Sequence, residues 1–478
     1  MQESKKFNRT KIVATMGPAT SDINILEAMF NEGLDICRIN FSHGDYEAAL
    51  HTINNIRVLN VKLNKHVGIL GDLQGPKLRI GVMKNNGANL VTGEEIDITT
   101  KEMEGDESIV YITYPQFPLD VKIGETVLID DGKIHLKVLD TNGKDRVRCL
   151  ITNGGFLSSK KGVNLPNTKI SLPCLTVKDI RDLDFALDQD FDWVGLSFVR
   201  SVTDIVELKD IIKNRGKRTR VIAKIEKPEA IREIDNIIDV ADGIMVARGD
   251  LGVELPMERV PMLQKMIVTK CIEIGKPVII ATQMMESMIT SFTPTRAEVN
   301  DVANAVMDGA DAVMLSAETS VGKFPTKVIE MMRRIITEVE DLDSIYYKEH
   351  TPQIKTITYI TDSICYNACS LAHHAGAQAI ISLTNSGYTA FKLSSHRPKA
   401  PIFIFTDNLS LLTMLSLVWG VRGFYYDKYE STDQTIDDLK DIVKNKGLLK
   451  NDDLVINIAS MPMKEKGRTN MMKLSYIS

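Results

Sequence analysis

Residues 221–255, VIAKIEKPEAIREIDNIIDVADGIMVARGDLGVEL, concentrate the side chains best suited to chemistry. Lys224 and Glu226 stand two apart at the end of a Val/Ile-rich run, a spacing that turns both to one face of a strand. Asp250 follows a second apolar run, in Arg-Gly-Asp-Leu-Gly. Two carboxylates and a lysine at the carboxyl ends of neighbouring parallel strands can hold a divalent cation, Mg²⁺ or Mn²⁺, beside an anionic substrate. A lysine facing the interior of such a strand is costly unless paired, and it can stabilise a developing enolate or a transferring phosphoryl group. Plainer readings exist for each. Glu226 can be only the ion-pair partner of Lys224 or Lys227, and Asp250 only a helix N-cap. Spacing alone leaves both readings open.

Further polar residues fall at the ends of apolar runs. Gly249 and Asp250 can open a short helix whose N–H groups face a carboxylate or phosphate, and Thr282 closes PVIIATQ. In DICRINFS, Arg38, Asn40 and Ser42 alternate with Ile39 and Phe41, so three polar side chains share one face. With Asp72, at the end of VGILGDL, they make a phosphate and cation corner. Ser316 and Glu318 end AVMLSAE on one face.

The elements that must position these groups repeat with a strand–helix rhythm. Apolar runs at KIVATM, DICRINFS, VGILGDL, DWVGLSFV, TRVIAKIE, GIMVAR, PVIIATQ and AVMLSAE are each followed by a helical stretch. Near-continuous apolar strands with polar carboxyl ends predict an α/β fold, a (β/α)8 TIM barrel, over residues 1–73 and 172–343. A doubly wound open sheet is the alternative. Residues 74–171 break the rhythm with short Val-, Ile- and Thr-rich runs and the hairpin signals Asp130-Asp131-Gly132 and Asn142-Gly143. They predict a small inserted β-barrel lid, with Arg79 and Lys161 at its two hinges at the barrel mouth. Residues 344–478 return to α/β spacing and predict a C-terminal α/β regulatory domain.

Bulk properties limit the function classes. The chain has 478 residues, 44% hydrophobic and 25% charged, with a net charge of −5, which argues against bulk nucleic-acid binding. Six scattered cysteines without a C-x-x-C pair fit a reducing cytoplasm rather than a disulfide framework or zinc site. The polar start MQESKKFNRT lacks an apolar h-region, and no apolar run is long enough for a membrane span.

The segments KIVATMGPAT, CRINFSHGDY, GDLQGPKLR, KGVNLP, WVGLSFVR, AKIEKPEAI, DGIMVARGDLGVELP, ATQMMESMI, PTRAEVNDVANAV and AVMLSAETSVGKFP, in this order, resemble the pyruvate kinase family over essentially the whole chain. The resemblance implies Mg²⁺-dependent phosphoryl transfer from phosphoenolpyruvate to ADP, giving pyruvate and ATP in glycolysis, in a cytoplasmic homotetramer. By matched position, Arg38 and Lys224 bind the phosphoryl group and Lys224 stabilises the transition state. Glu226 and Asp250 hold the metal, and Gly249, Asp250 and Thr282 hold the substrate carboxylate. Asn40, Phe41, Ser42, His43, Arg79 and Lys161 contact the nucleotide, and Ser316 and Glu318 stand near the enolate-protonation step.

Two departures from the family pattern stand out. Many members use K⁺ at positions matching Asn40, Ser42 and Asp72, and carry Glu where this chain has Lys77. A tethered ammonium can replace the K⁺ charge, so activity is expected without K⁺, as in the K⁺-independent branch. The usual Ser-Gly-Glu-Thr reads Ser-Ala-Glu-Thr, with Ala317, which is tolerable unless φ must be positive. In the C-terminal domain, Thr384, Ser386, Gly387 and Thr389 follow a strand in a turn able to cradle a phosphate, where the family binds sugar-phosphate or nucleotide effectors. An ordinary turn is the competing reading. Two other functions fit parts of the pattern: a metal-dependent 2-oxo acid aldolase or lyase, which would not need the lid, and a catalytically dead barrel that senses metabolites.

Overall fold

In the computed structural model, residues 7–43, 45–348, 350–352, 356–428, 431–462 and 467–478 are described, the side chain of His43 excepted. Eight parallel strands, Lys11–Thr15, Ile36–Asn40, Gly68–Asp72, Trp193–Leu196, Arg220–Ile225, Gly243–Ala247, Val278–Ala281 and Ala312–Leu315, close into a barrel. The last pairs with the first, Lys11 opposite Ala312. These strands are buried on both sides, which is why their sequences run apolar without alternation. Most of the polar side chains considered for chemistry lie toward the carboxyl ends of the strands.

The helices between them carry ordinary local signals. Asp22 accepts from the Asn24 N–H at 2.6 Å to start helix Ile23–Glu32. Thr176 with Asp179, and Thr295 with Glu298, form capping boxes on Val177–Asp188 and Arg296–Asp308.

Between the third and fourth barrel strands lies the lid. Its larger sheet has six strands, including the hairpins at 129–134 and 141–146. It has its own core, from Leu78 and Ile80 to Val163 and Leu165, so it packs as a separate body on two hinges. The hinges touch: Arg79 bridges Gly162, and the Ile80 N–H donates to Lys161 O at 2.8 Å.

The C-terminal domain is a five-stranded sheet with four parallel strands, Val421–Tyr425, Ile402–Thr406, Ala379–Leu383 and Leu454–Ala459 in spatial order. A fifth strand, Met471–Tyr476, adds antiparallel at the edge. Its MMKLSY, half-exposed and mixed in composition, carries little strand signal in the sequence. This domain docks on the barrel floor. Trp193 Nε1 donates to Met414 O at 3.1 Å, Thr413 Oγ1 to Asp192 at 2.5 Å, and Arg397 pairs with Asp311 at 2.9 Å, both buried. All six cysteines are buried, and none is in a disulfide. Among the described residues, no helix is long and apolar enough to cross a membrane.

Candidate active site

Lys224 sits one residue before the end of the fifth barrel strand, and Glu226 just beyond it. The Lys224 ammonium meets three oxygens: Glu226 at 3.0 Å, Asp72 at 3.1 Å and Ser197 Oγ at 2.6 Å. Burial works against its charge, but Asp72 and Glu226 outweigh it and hold the ammonium above the usual lysine range. Arg38, on the second strand, donates through Nε to Asp72 at 2.7 Å and through Nη1 to Thr15 Oγ1 at 2.8 Å. Burial raises the Asp72 carboxyl, but Lys224 and Arg38 overcome it and keep it anionic. Two cations are thus tethered to one buried carboxylate. Asp72 Oδ1 receives no hydrogen bond, although the Lys224 charge lies beside it.

Glu226 is almost wholly enclosed. Burial raises its carboxyl, and Asp250 pushes the same way while Lys224 opposes. Its Oε2 accepts from the Phe198 N–H at 2.9 Å. Phe198 has a φ of +57°, a conformation rare for a bulky residue. Two crowded carboxylates are the donor set that a hard divalent cation relieves, with substrate and water oxygens completing its shell. Among the described residues, no cluster of three or more His, Cys, Asp or Glu side chains offers a metal cage.

Gly249 and Asp250 lie in the first turn of helix Arg248–Glu254. The Gly249 N–H donates to Thr282 Oγ1 at 2.8 Å, and a Cβ at Gly249 would stand 3.3 Å from that oxygen. A side chain at 249 would press on the Thr282 hydroxyl. Thr282 follows the seventh strand with a φ of +70°, and Gln283 has +56°. Arg248 holds this corner. It donates to Thr282 O at 2.7 Å and pairs bidentately with Asp301, 2.7 Å in each arm.

After the eighth strand, Ser316 precedes helix Ala317–Ser320. Glu318 accepts from the Ser316 N–H at 2.6 Å and the Met285 N–H at 3.3 Å, and burial raises its carboxyl. Ala317 is the first helical residue and is not in the left-handed region, so its methyl meets no backbone conflict.

The nucleotide-side residues are more dispersed. Asn40 Oδ1 accepts from the Ser42 N–H at 3.1 Å. The Phe41 ring packs into the core against Phe185 and Phe191, and its carbonyl accepts from Lys178 Nζ at 2.6 Å. The His43 side chain lies outside the described residues. At the lid hinges, Arg79 donates to Lys160 O at 3.1 Å and Lys161 pairs with Asp130 at 2.8 Å. A cleft of about 1180 Å³ runs between lid residues Asp131, Gly132 and His135 and barrel residues Arg248, Gly249 and Asp250. Lys77 is exposed on the hinge and forms no ion pair among the described residues. The charge at the Asp72 corner comes from Arg38 and Lys224.

In the C-terminal domain, residues 384–389 follow strand Ala379–Leu383 and lead into helix Tyr388–Ser395. Gly387 takes a φ of +81°, and its N–H donates to Thr384 Oγ1 at 3.1 Å. Thr384, Ser386 and Thr389 line a cavity of about 330 Å³ with Thr358, Arg468 and Thr469. It opens where neighbouring strands Ala379–Leu383 and Leu454–Ala459 send their chains apart, the usual crevice for ligands in open sheets.

Sequence reasoning missed Ser197, Thr15, Phe198 and the Arg248–Asp301 pair. Ser197 stood in the quoted WVGLSFVR, where the polar end of the fourth strand was a usable signal.

The family profile described as "Pyruvate kinase, barrel domain" matches residues 7–329, and that described as "Pyruvate kinase, alpha/beta domain" matches 362–475. Pyruvate kinase 2 of Synechocystis is 42% identical, over 100% of this chain and 80% of its own length. The pyruvate kinase of Corynebacterium efficiens is 42% identical over 98% of both chains. A crystal structure of a pyruvate kinase from Cryptosporidium parvum superposes with a TM-score of 0.92 at 34% identity, covering 98% of this chain and 96% of that one.

Proposed function

The chain belongs to the pyruvate kinase family and is a phosphotransferase, and on that premise we propose that the cluster around Lys224 moves the phosphoryl group of phosphoenolpyruvate to ADP, with Mg²⁺ or Mn²⁺ at Glu226 and Asp250. The observation that carries this reading is the Lys224 ammonium, fixed by Asp72, Glu226 and Ser197 beside an Arg38 that shares Asp72. Phosphoryl transfer asks little covalent chemistry of a protein and much positioning of positive charge. Lys224 and Arg38 grip the phosphoryl oxygens, with Lys224 matched to the charge that develops in transit. The Gly249 N–H and Thr282 hydroxyl take the substrate carboxylate and fix its plane. The bound divalent cation supplies charge neutralisation on the phosphoryl and enolate oxygens.

As the P–O bond to the enol oxygen breaks, a bond forms to the terminal phosphate oxygen of ADP. Asn40, Phe41, Ser42, His43, Arg79 and Lys161 steady the nucleotide as the lid closes. The enolate then takes a proton at its methylene carbon, on the side of Thr282, Ser316 and Glu318, to give pyruvate. The whole-chain relatives named above are pyruvate kinases, which leaves the aldolase or lyase alternative without support.

Three further parts belong to this reading. Lys77 swings to the corner of Asn40, Ser42 and Asp72 on lid closure, so K⁺ is not required. The crevice at Thr384, Ser386, Gly387 and Thr389 takes a phosphorylated effector, a sugar phosphate or nucleotide. The enzyme works in the cytoplasm as a homotetramer, supported by exposed apolar side chains at Met257 and Met262 and along the edge strand with Leu474 and Tyr476.

Electron paramagnetic resonance of Mn²⁺ tests the metal assignment without turnover. Glu226→Gln is expected to weaken Mn²⁺ binding at least about tenfold. Equal affinity in parent and variant contradicts the assignment.

A further inference from the structure

The seam between the barrel floor and the C-terminal domain holds a guanidinium without a counter-ion, and we propose that it is an anion site for a small phosphate monoester, beside the crevice at 384–389, with which it shares Asn385 and Ser386. Arg220 opens the fifth barrel strand. It is half-buried, with its guanidinium 4.7 Å from the Phe391 ring centroid and 6.0 Å from that of Trp193. Among the described residues it has no ion-pair partner within 4.0 Å. Asp242, the acid that acts on it electrostatically, is taken by Lys209 at 2.9 Å and the Val221 N–H at 2.9 Å. The enclosed Arg38, Arg248 and Arg397 each carry a carboxylate partner. A charge withdrawn from water asks for such a partner, and burial pushes the Arg220 pKa below the usual range.

Arg220 faces a cavity of about 450 Å³, with Arg218, Thr219, Ser386 and Ser410 around it. Arg218 likewise has no ion-pair partner among the described residues. The cavity shares Arg218, Asn385, Asn408 and Ser410 with an outer lobe of about 650 Å³ that ends at Asp407 and Tyr425. Its other charges are committed: Lys217 pairs with Asp190 at 2.8 Å, and Asp192 accepts from the Ile69 N–H at 2.7 Å and Thr413 Oγ1 at 2.5 Å. Two unpartnered guanidinium forks flanked by hydroxyls match a phosphate dianion, which each fork can grip bidentately. The outer lobe, with a carboxylate, an amide and a phenol, suits the hydroxyls of the ligand's body.

The position has a consequence for the active site. Arg220, Ile222 and Lys224 alternate onto one face of the same strand, so the two cations stand about 13 Å apart along it. A ligand joining Arg220 to Asn385 and Ser386 ties the foot of the strand that carries Lys224 to the C-terminal domain.

Only two tryptophans occur, Trp193 and Trp419, so Trp419→Phe leaves Trp193, beside Arg220, as the sole indole reporter. Inorganic phosphate titrated at constant ionic strength against chloride is expected to change its emission saturably at roughly 1–10 mM. Arg220→Gln weakens that response at least about tenfold, and the exposed Arg218→Ser weakens it severalfold should Arg220→Gln fold poorly. Lys224→Met keeps the response, because the active site is not its source. A response unchanged in both arginine variants, lost in Lys224→Met, or matched by chloride overturns the proposal. None of these readings depends on turnover, so they stand apart from the fate of the proposed activity.

Discussion

Arg248→Gln is expected to damage catalysis through a residue it does not replace. Thr282 is β-branched and held at a φ of +70°, a strained conformation worth about 1–3 kcal/mol. Arg248 offsets that strain by donating to Thr282 O at 2.7 Å while Asp301 fixes the guanidinium from behind. A hydrogen bond from a charged donor contributes about 1.5–3 kcal/mol. Without it the 282–283 peptide relaxes, and the 2.8 Å contact between Thr282 Oγ1 and the Gly249 N–H goes with it. A loss of about 2–3 kcal/mol from the transition state lowers kcat/KM for phosphoenolpyruvate about 30- to 150-fold. The KM for ADP stays within about twofold, because Arg79 and Lys161 are untouched. The assay is steady-state pyruvate formation in a double-mutant cycle with Thr282→Ala. If Arg248 acts through Thr282, adding Arg248→Gln to Thr282→Ala costs less than about threefold more. Losses that multiply in full across the cycle refute the reasoning.

Three further predictions follow from the same geometry. Lys224→Met lowers kcat by at least about 10²–10³, and turnover within about tenfold of the parent in the same assay would remove Lys224 from the mechanism. Asp192 is buried at the domain seam, and burial, against hydrogen bonds from Thr413 and Ile69, raises its carboxyl from 3.8 to about 6. The folded state holds this proton more tightly, so the stabilisation is complete below the lower value and lost as pH rises through the upper one. The interval is worth about 3 kcal/mol, and Asp192→Asn should gain about that much relative to the parent between pH 4 and 7.5 in urea unfolding; parallel pH profiles would contradict it. Replacing K⁺ by tetramethylammonium leaves the rate unchanged if the Lys77 ammonium serves the Asp72 corner, whereas strong K⁺ activation removes that role.

Much of this architecture was legible in the chain because barrel strands announce themselves twice: by apolar runs such as GIMVA and by the polar residue that ends each one. Asp72, Lys224, Thr282 and Ser316 all sat where that rule pointed. Partners that meet only in space were not legible. Asp301 reaches Arg248 from 53 positions away, and Thr15 reaches Arg38 from a neighbouring strand. Backbone strain at Phe198 and Thr282 leaves no trace in residue type, since both residues normally avoid positive φ. Phe41 alternates away from the polar face of Arg38, Asn40 and Ser42, but that its ring joins an aromatic cluster with Phe185 and Phe191 depends on residues about 140 positions away. Lys77 was assigned by its charge, and charge alone does not say which way a side chain on a hinge points.

The central claim is tested most directly by mixing the purified chain with phosphoenolpyruvate, ADP and Mg²⁺ without K⁺, and measuring pyruvate and ATP in the same samples. The account predicts both products in equal amounts, strict dependence on ADP, and loss of both in Lys224→Met. Pyruvate formed without ADP, or without matching ATP, would contradict it.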